Sequence, residues 1–138
     1  MGKIPVTIVG GYLGSGKTTL INSVISEDHG LKLALLINDF GDINIDASLI
    51  ESQDGDVLSL SNGCVCCTLT DDFSQTMEQI KNSADSFDRV IIEMSGIGEP
   101  SKVVSYVDET DYFLDGIVVL LDVEKIQDWA ENKYVGPL

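Results

Sequence analysis

Val6-Thr7-Ile8-Val9-Gly10-Gly11-Tyr12-Leu13-Gly14-Ser15-Gly16-Lys17-Thr18-Thr19-Leu20-Ile21 is the stretch on which the fold turns. Val6 to Val9 is a short continuous apolar run, the pattern of a strand buried on both faces. Leu20, Ile21, Val24 and Ile25 then recur on one face of a helix that the spacing predicts from Lys17 to Ser26, with Gly30 placed to end it. Between them, Gly11-Tyr12-Leu13-Gly14-Ser15-Gly16-Lys17-Thr18 meets every specified position of the phosphate-binding loop pattern. Glycines let the backbone wrap close to a β-phosphate, and the helix N-terminus adds partial positive charge at the same place. In that chemistry Lys17 reaches the β- and γ-phosphates and the Thr18 hydroxyl ligates Mg²⁺. A plain glycine turn with an exposed lysine fits less well, because pattern and strand–helix context agree.

Working outward, Leu33 to Ile37 reads as a second buried strand, Asp56 to Leu60 as a shorter alternating one, and Arg89 to Ile92 and Ile117 to Leu121 as two more central strands. Phe73, Met77 and Ile80 mark one face of a helix near Asp71 to Asn82, and Val123 to Tyr134 also looks helical. Asp71 and Asp72 suit the positive end of the first of these helices. Strands alternating with helices predict βαβ crossovers: an α/β fold of the P-loop NTPase type, with a mostly parallel sheet covered by helices on both faces. The 138 residues show no repeat or linker, so one domain is expected over 1–138.

Eight Lys and Arg stand against 23 Asp and Glu, a formal charge of −15. A surface that acidic repels phosphate backbones and anionic lipid, so neither nucleic acid nor membrane is expected as the main partner. An anionic ligand must be held by a local device. No stretch is long enough for a membrane helix, and the apolar run after Lys3 leads into glycines instead of a cleavage site. The three cysteines all fall in Cys64-Val65-Cys66-Cys67. An odd, clustered set is no disulfide framework and points to the cytoplasm.

Two further groups carry chemistry. Arg89-Val90-Ile91-Ile92-Glu93 ends an apolar strand with an acid, as a Walker-B-type element does. Glu93 is placed to hold Mg²⁺ through water, and Gly96 to offer a backbone N–H to a γ-phosphate; a solvated strand end is the alternative. Cys64, Cys66 and Cys67 offer several sulfurs to one soft or borderline cation such as zinc. Adjacent residues of an extended chain point apart, so one site using all three requires a turned loop, for which Asn62-Gly63 supplies the turn. On the residues alone, small buried hydrophobes, or a redox pair at Cys64 and Cys67, stay open. His29 beside the end of the first helix reads as a cap or surface residue. Asp39, Asp42 and Asp46 crowd an acidic loop after the second strand.

Leu13 to Leu20, Asn38-Asp39-Phe40-Gly41 with Asp46, Asn62 to Cys67, and Ile92 to Gly96 with Glu99-Pro100 follow in one order. That series, from about Ile4 to Val123, resembles the CobW family of metal-handling GTPases, relatives of the hydrogenase and urease maturation factors. The resemblance implies a GTP-dependent metallochaperone or metal-insertion domain, most often for zinc and sometimes cobalt. It implies nucleotide binding at Gly11, Gly14, Ser15, Gly16, Lys17, Thr18, Thr19 and Gly96, and zinc (or Co²⁺) binding at Cys64, Cys66 and Cys67. Thr18 and Glu93 would serve Mg²⁺, and Lys17, Glu93 and Asp46 form the expected catalytic set. Residues 38–46 and 93–96 would behave as switches. A client metalloprotein is the expected partner, and a homodimer is compatible with the resemblance.

The sequence departs from the family pattern in two ways. Asp39 stands where the family usually has Glu, and Ile37 where a further acid is common. The guanine-reading Asn-Lys-x-Asp is absent: Glu131-Asn132-Lys133-Tyr134-Val135 carries Asn-Lys but no Asp at the fourth place. The chain therefore looks like the front part of such a protein, without its base-reading strand and C-terminal domain. Two competing readings remain, a small-molecule kinase using ATP and a non-catalytic nucleotide- or metal-binding module.

Overall fold

A computed structural model describes residues 2–11, 16–27, 29–37, 45–55, 57–68, 73–82, 87–94, 101–108 and 111–124. In chain order these form β1 (Ile4–Gly11), α1 (Lys17–Ser26), β2 (Leu33–Ile37), a short 3₁₀ turn (Ala47–Leu49) and β3 (Ile50–Asp54). There follow β4 (Val57–Leu60), β5 (Val65–Thr68), α2 (Phe73–Lys81), β6 (Arg89–Glu93), α3 (Ser101–Asp108) and β7 (Tyr112–Leu120). The strands make one sheet in the order β3-β4-β5-β2-β6-β1-β7. Pairing is parallel from β5 through β7 and antiparallel where β4 meets β5 and β3. The sheet is therefore mostly parallel, as the alternation of strand and helix patterns predicts.

β2 is buried at all five positions, which follows from apolar cover on both faces. On one face Ile21 and Ile25 of α1, four residues apart and so on one stripe, pack with Val9, Leu33, Leu35, Ile37 and Ile91. On the other, Met77 and Ile80 of α2 and Val103 and Val107 of α3 pack with Val6, Ile8, Ala34, Leu36, Val90 and Ile92. Leu35 is fully buried at the centre of the first cluster. Leu35→Ala should cost about 2–5 kcal/mol, read as a lower denaturant midpoint at unchanged slope; a loss below about 1 kcal/mol would contradict this packing.

Parallel pairing puts the carboxyl ends of β1, β2, β5 and β6 on one edge, with Val9 level with Glu93 and Ile37 level with Thr68. In open α/β sheets that edge is where ligands bind.

Several elements differ from the sequence-based expectation. Cys66 and Cys67 lie within a strand, β5, and the turn is completed before it, at Ser61 to Gly63. β3 carries no burial pattern to read, since all five of its residues are exposed. α3 is an eight-residue helix too short to announce itself. Of the run Ile117 to Leu121, expected as a central strand, Ile117 to Leu120 belong to the longer β7, which among the described residues pairs only with β1 and lies at the end of the sheet. A β-branched run suits either position. The helices expected near Asp71 and from Val123 onward fall in part outside the described residues: Asp71, Asp72 and everything from residue 125 lie there. So does Asp56 at the start of the expected third strand.

A register shift between Val6 and Thr7 leaves Asp115 as the extra residue of β7. Arg89 fixes it there, donating from Nη1 to Asp115 Oδ2 at 2.6 Å and to Thr7 Oγ1 at 2.8 Å. The pair ties β6, β1 and β7 together, away from the carboxyl ends of the parallel strands.

Candidate functional site

Gly11 ends β1 at φ 134°, and Gly16 precedes α1 in the left-handed region at φ 103°. An L side chain rarely adopts either conformation, so both turns of the chain call for glycine. Gly16 offers no side-chain cap to α1, although its carbonyl accepts from Leu20 N–H at 2.9 Å. The first N–H groups of an α-helix have no intrahelical acceptor, and with the helix dipole they make a place for an anion.

Lys17, the first residue of α1, is only 6% exposed. Its Nζ donates to Gly11 O at 2.7 Å and to Met94 O at 3.1 Å. Burial pulls its pKa below the usual lysine value, and the carboxylate of Glu93 offsets part of that. A cation here opposes both the helix dipole and desolvation. Glu93 closes β6 at 7% exposure, and the next residue is held to β1 by Met94 N–H to Val9 O at 2.9 Å. Lys17 and Glu93, far apart in sequence, thus share the edge formed by the ends of β1 and β6.

Thr18 is half-buried and Thr19 exposed in the first turn of α1. Gly14, Ser15 and Gly96 lie outside the described residues, as do Asp39 and Asp42 of the acidic loop. Asp46 is described: its Oδ1 accepts from Ser48 N–H at 2.9 Å and so caps the Ala47–Leu49 turn. That bond lowers its pKa. No described contact carries Asp46 to Lys17 or Glu93.

All three thiols are free and buried. Cys64 and Cys66, two apart, lie in the cluster on the α1 face. Cys67 pairs with Leu36, which belongs to the opposite cluster, and by strand alternation it faces that side. Burial pushes the Cys66 thiol up to about 12, with its two cysteine neighbours adding to the rise. Burial also raises Cys64 and Cys67. The Cys64 thiol donates to Leu31 O at 3.6 Å and accepts from Leu33 N–H at 3.5 Å. Among the described residues, no group of three or more His, Cys, Asp or Glu is arranged to hold a metal ion. His29 closes the end of α1, with Nε2 against Val24 O at 3.1 Å and Nδ1 accepting from Leu31 N–H at 3.0 Å.

Two participants escaped the sequence reading. One is the Met94 carbonyl, which no side-chain pattern announces. The other is Asn62, legible only as a turn residue, whose amide reaches both Ile25 O and Cys64 N–H.

A family model described as the CobW/HypB/UreG nucleotide-binding domain matches residues 5–136. The zinc chaperone CobW of Sinorhizobium sp is 34% identical over 131 residues, 88% of this chain and 37% of that protein. The zinc-regulated GTPase metalloprotein activator 1 of Dictyostelium discoideum is 37% identical over 143 residues, 94% of this chain and 28% of the relative. The crystal structure of the Zn(II)-bound YjiA GTPase from E. coli superposes with a TM-score of 0.75 at 30% identity, covering 98% of this chain and 46% of that one. A Zn(II)-bound triple mutant of the YjiA GTPase, with one glutamate and two cysteines replaced by alanine, gives a TM-score of 0.77 at 28% identity, over 98% of this chain and 45% of that one. The chain thus spans less than half the length of these relatives. No helix among the described residues is long and apolar enough to cross a membrane. With the family model covering nearly its whole length, the chain belongs to the CobW/HypB/UreG nucleotide-binding domain family.

Proposed function

We propose that this chain is a GTP-binding and GTP-hydrolysing domain that couples nucleotide state to the holding and release of zinc or a related divalent ion such as cobalt, for delivery to a client metalloprotein. The observation that carries the reading is Lys17: a buried cation at a helix N-terminus, facing Glu93 from the neighbouring strand end. Such a group is costly to keep unless an anion arrives to use it. The names of the relatives, zinc chaperones and a zinc-regulated GTPase activator, supply the nucleotide and the metal.

In this reading the backbone of Gly11 to Gly16 and the first turn of α1 receive the phosphates, with Thr19 and Gly96 as further contacts. Lys17 neutralises charge between the β- and γ-phosphates. Thr18 and Glu93 present hard oxygens, the donor type Mg²⁺ prefers, with Glu93 acting through water. When bound, that ion supplies charge neutralisation of the phosphates. Asp46 would act from the loop it closes. The thiols of Cys64, Cys66 and Cys67 would hold the cargo metal; Cys64 and Cys66 share the α1 face, and Cys67 faces the other side of the sheet, so a site using all three requires β5 to rearrange as the metal binds. Free thiols suit a cytoplasmic setting. A single domain, and a homodimer as its assembly, belong to the same reading.

The test is zinc affinity measured with no nucleotide, with GDP and with a non-hydrolysable GTP analogue. Coupled sites should differ by about 5- to 150-fold between states, and triphosphate affinity must change by the same factor when zinc is added. Three equal values would leave two independent sites. Nucleotide binding without turnover would instead favour a non-catalytic module.

A further inference from the structure

We infer that Asn62 is a positioning residue that ties the far end of the phosphate-binding helix to the thiol segment, so that nucleotide state reaches the metal through α1. This rests on the nucleotide–metal reading above and adds the part that transmits it.

α1 starts at Lys17 and Thr18 and runs ten residues to Ser26, about 15 Å along its axis. Its last carbonyls need outside partners. Two find them locally: Ser23 O takes Glu27 N–H at 3.2 Å, and Val24 O takes His29 Nε2 at 3.1 Å. Ile25 O takes its partner from another part of the fold, Asn62 Nδ2 at 3.2 Å and 37 residues away.

The other half of the same amide is also engaged. Asn62 Oδ1 accepts from Cys64 N–H at 3.0 Å. An N–H must face the oxygen and a carbonyl must face the NH₂, so the two partners fix the orientation of the amide. One planar group therefore joins the helix end to the first cysteine.

The turn around it is pinned. Gly63 N–H donates to Leu60 O at 3.0 Å and Leu60 N–H to Cys64 O at 2.9 Å. Gly63 sits at φ 88°, and a Cβ there would lie 3.3 Å from Lys32 Cγ. Cys64 is further tied through its thiol to Leu31 O and Leu33 N–H. From Cys64 the chain enters β5 directly, carrying Cys66 and Cys67 into the sheet.

A helix is stiff along its axis, and packed interiors pass on small displacements instead of absorbing them. A shift of the first turn, as Lys17 and Thr18 engage a phosphate, therefore arrives at Ile25 O. Asn62 turns that shift into a pull on Cys64.

The amide chemistry gives a clean test. Asn62→Asp keeps the acceptor for Cys64 N–H but removes the donor to Ile25 O and sets a carboxylate against that carbonyl. Asn62→Ala removes both. Zinc affinity of the full chain is measured for each protein without nucleotide and with a non-hydrolysable GTP analogue, alongside thermal unfolding. In Asn62→Asp the nucleotide-free zinc affinity should stay within about threefold of wild type, while the ratio between the two states falls to within about twofold of one, below the usual coupling range. Asn62→Ala should lose the ratio too. A merely structural role would lower zinc affinity equally in both states and keep the ratio, which would overturn the assignment, as would a wild-type ratio in Asn62→Asp. A flat ratio already in the wild type would reject the coupled reading and this inference with it, and that failure is told apart by the protein in which it appears.

Discussion

Lys17→Ala should lower affinity for a nucleoside triphosphate in Mg²⁺ by roughly 10- to 100-fold, the equivalent of losing a hydrogen bond to a charged group worth about 1.5–3 kcal/mol. The ammonium is aimed at Gly11 O and Met94 O, which leaves it one further proton to donate. Removing it takes away the described cation at the N-terminus of α1, in a chain whose formal charge is −15. Lys17→Met separates charge from packing, since it keeps most of the buried stem; both variants should lose affinity alike. A second, independent signature is pH. Burial lowers the pKa of Lys17, so its charge, and triphosphate affinity with it, should begin to fail at a lower pH than an ordinary lysine near 10.5 would allow. Unchanged affinity in Lys17→Met, measured by titration, would show that the glycine-rich loop is not a phosphate site.

Features written locally are readable in the sequence. α1 runs over Lys17–Ser26 and β2 over Leu33–Ile37, as the apolar spacing predicts, although α1 is capped at Glu27, short of the Gly30 expected to end it. What could not be read is what depends on neighbours. β5 is four residues, two of them cysteines, and cysteine is both a hydrophobe and a ligand, so the pattern does not separate strand from loop. β3 is exposed at every position and owes its existence to pairing with β4. That Glu93 comes to the edge beside Gly11 follows from β6 lying next to β1, although four strands intervene between them in the chain. Strand order is a property of the whole sheet. Asn62 illustrates the same limit at a single side chain: a turn residue in sequence, a helix cap in the fold.

Changing Cys64, Cys66 and Cys67 together to serine should abolish zinc binding, because a protonated hydroxyl replaces a thiolate that a borderline-soft ion prefers. The thiols start unfavourably: burial raises all three, Cys66 to about 12. Each ligating thiol must therefore give up a proton to the solvent as zinc arrives, and the cation supplies the compensation. The sign follows. Zinc affinity rises with pH throughout the neutral range, by about tenfold per pH unit for every proton released. The metal-free protein behaves in the opposite sense. A thiol raised above its unfolded value of 9.0 contributes stability that is complete below pH 9 and is lost as pH climbs towards about 12. Metal-free protein should thus soften across that alkaline window while its zinc affinity goes on increasing below it. Triphosphate binding by the triple-serine protein serves as the control, since the Lys17 site lies at the opposite end of α1 from Asn62 and a folded variant retains it. Equal zinc content in wild type and triple-serine protein would reject the thiol site, and a zinc affinity independent of pH between 6 and 8 would show that whatever ligands it uses are not thiols that start protonated.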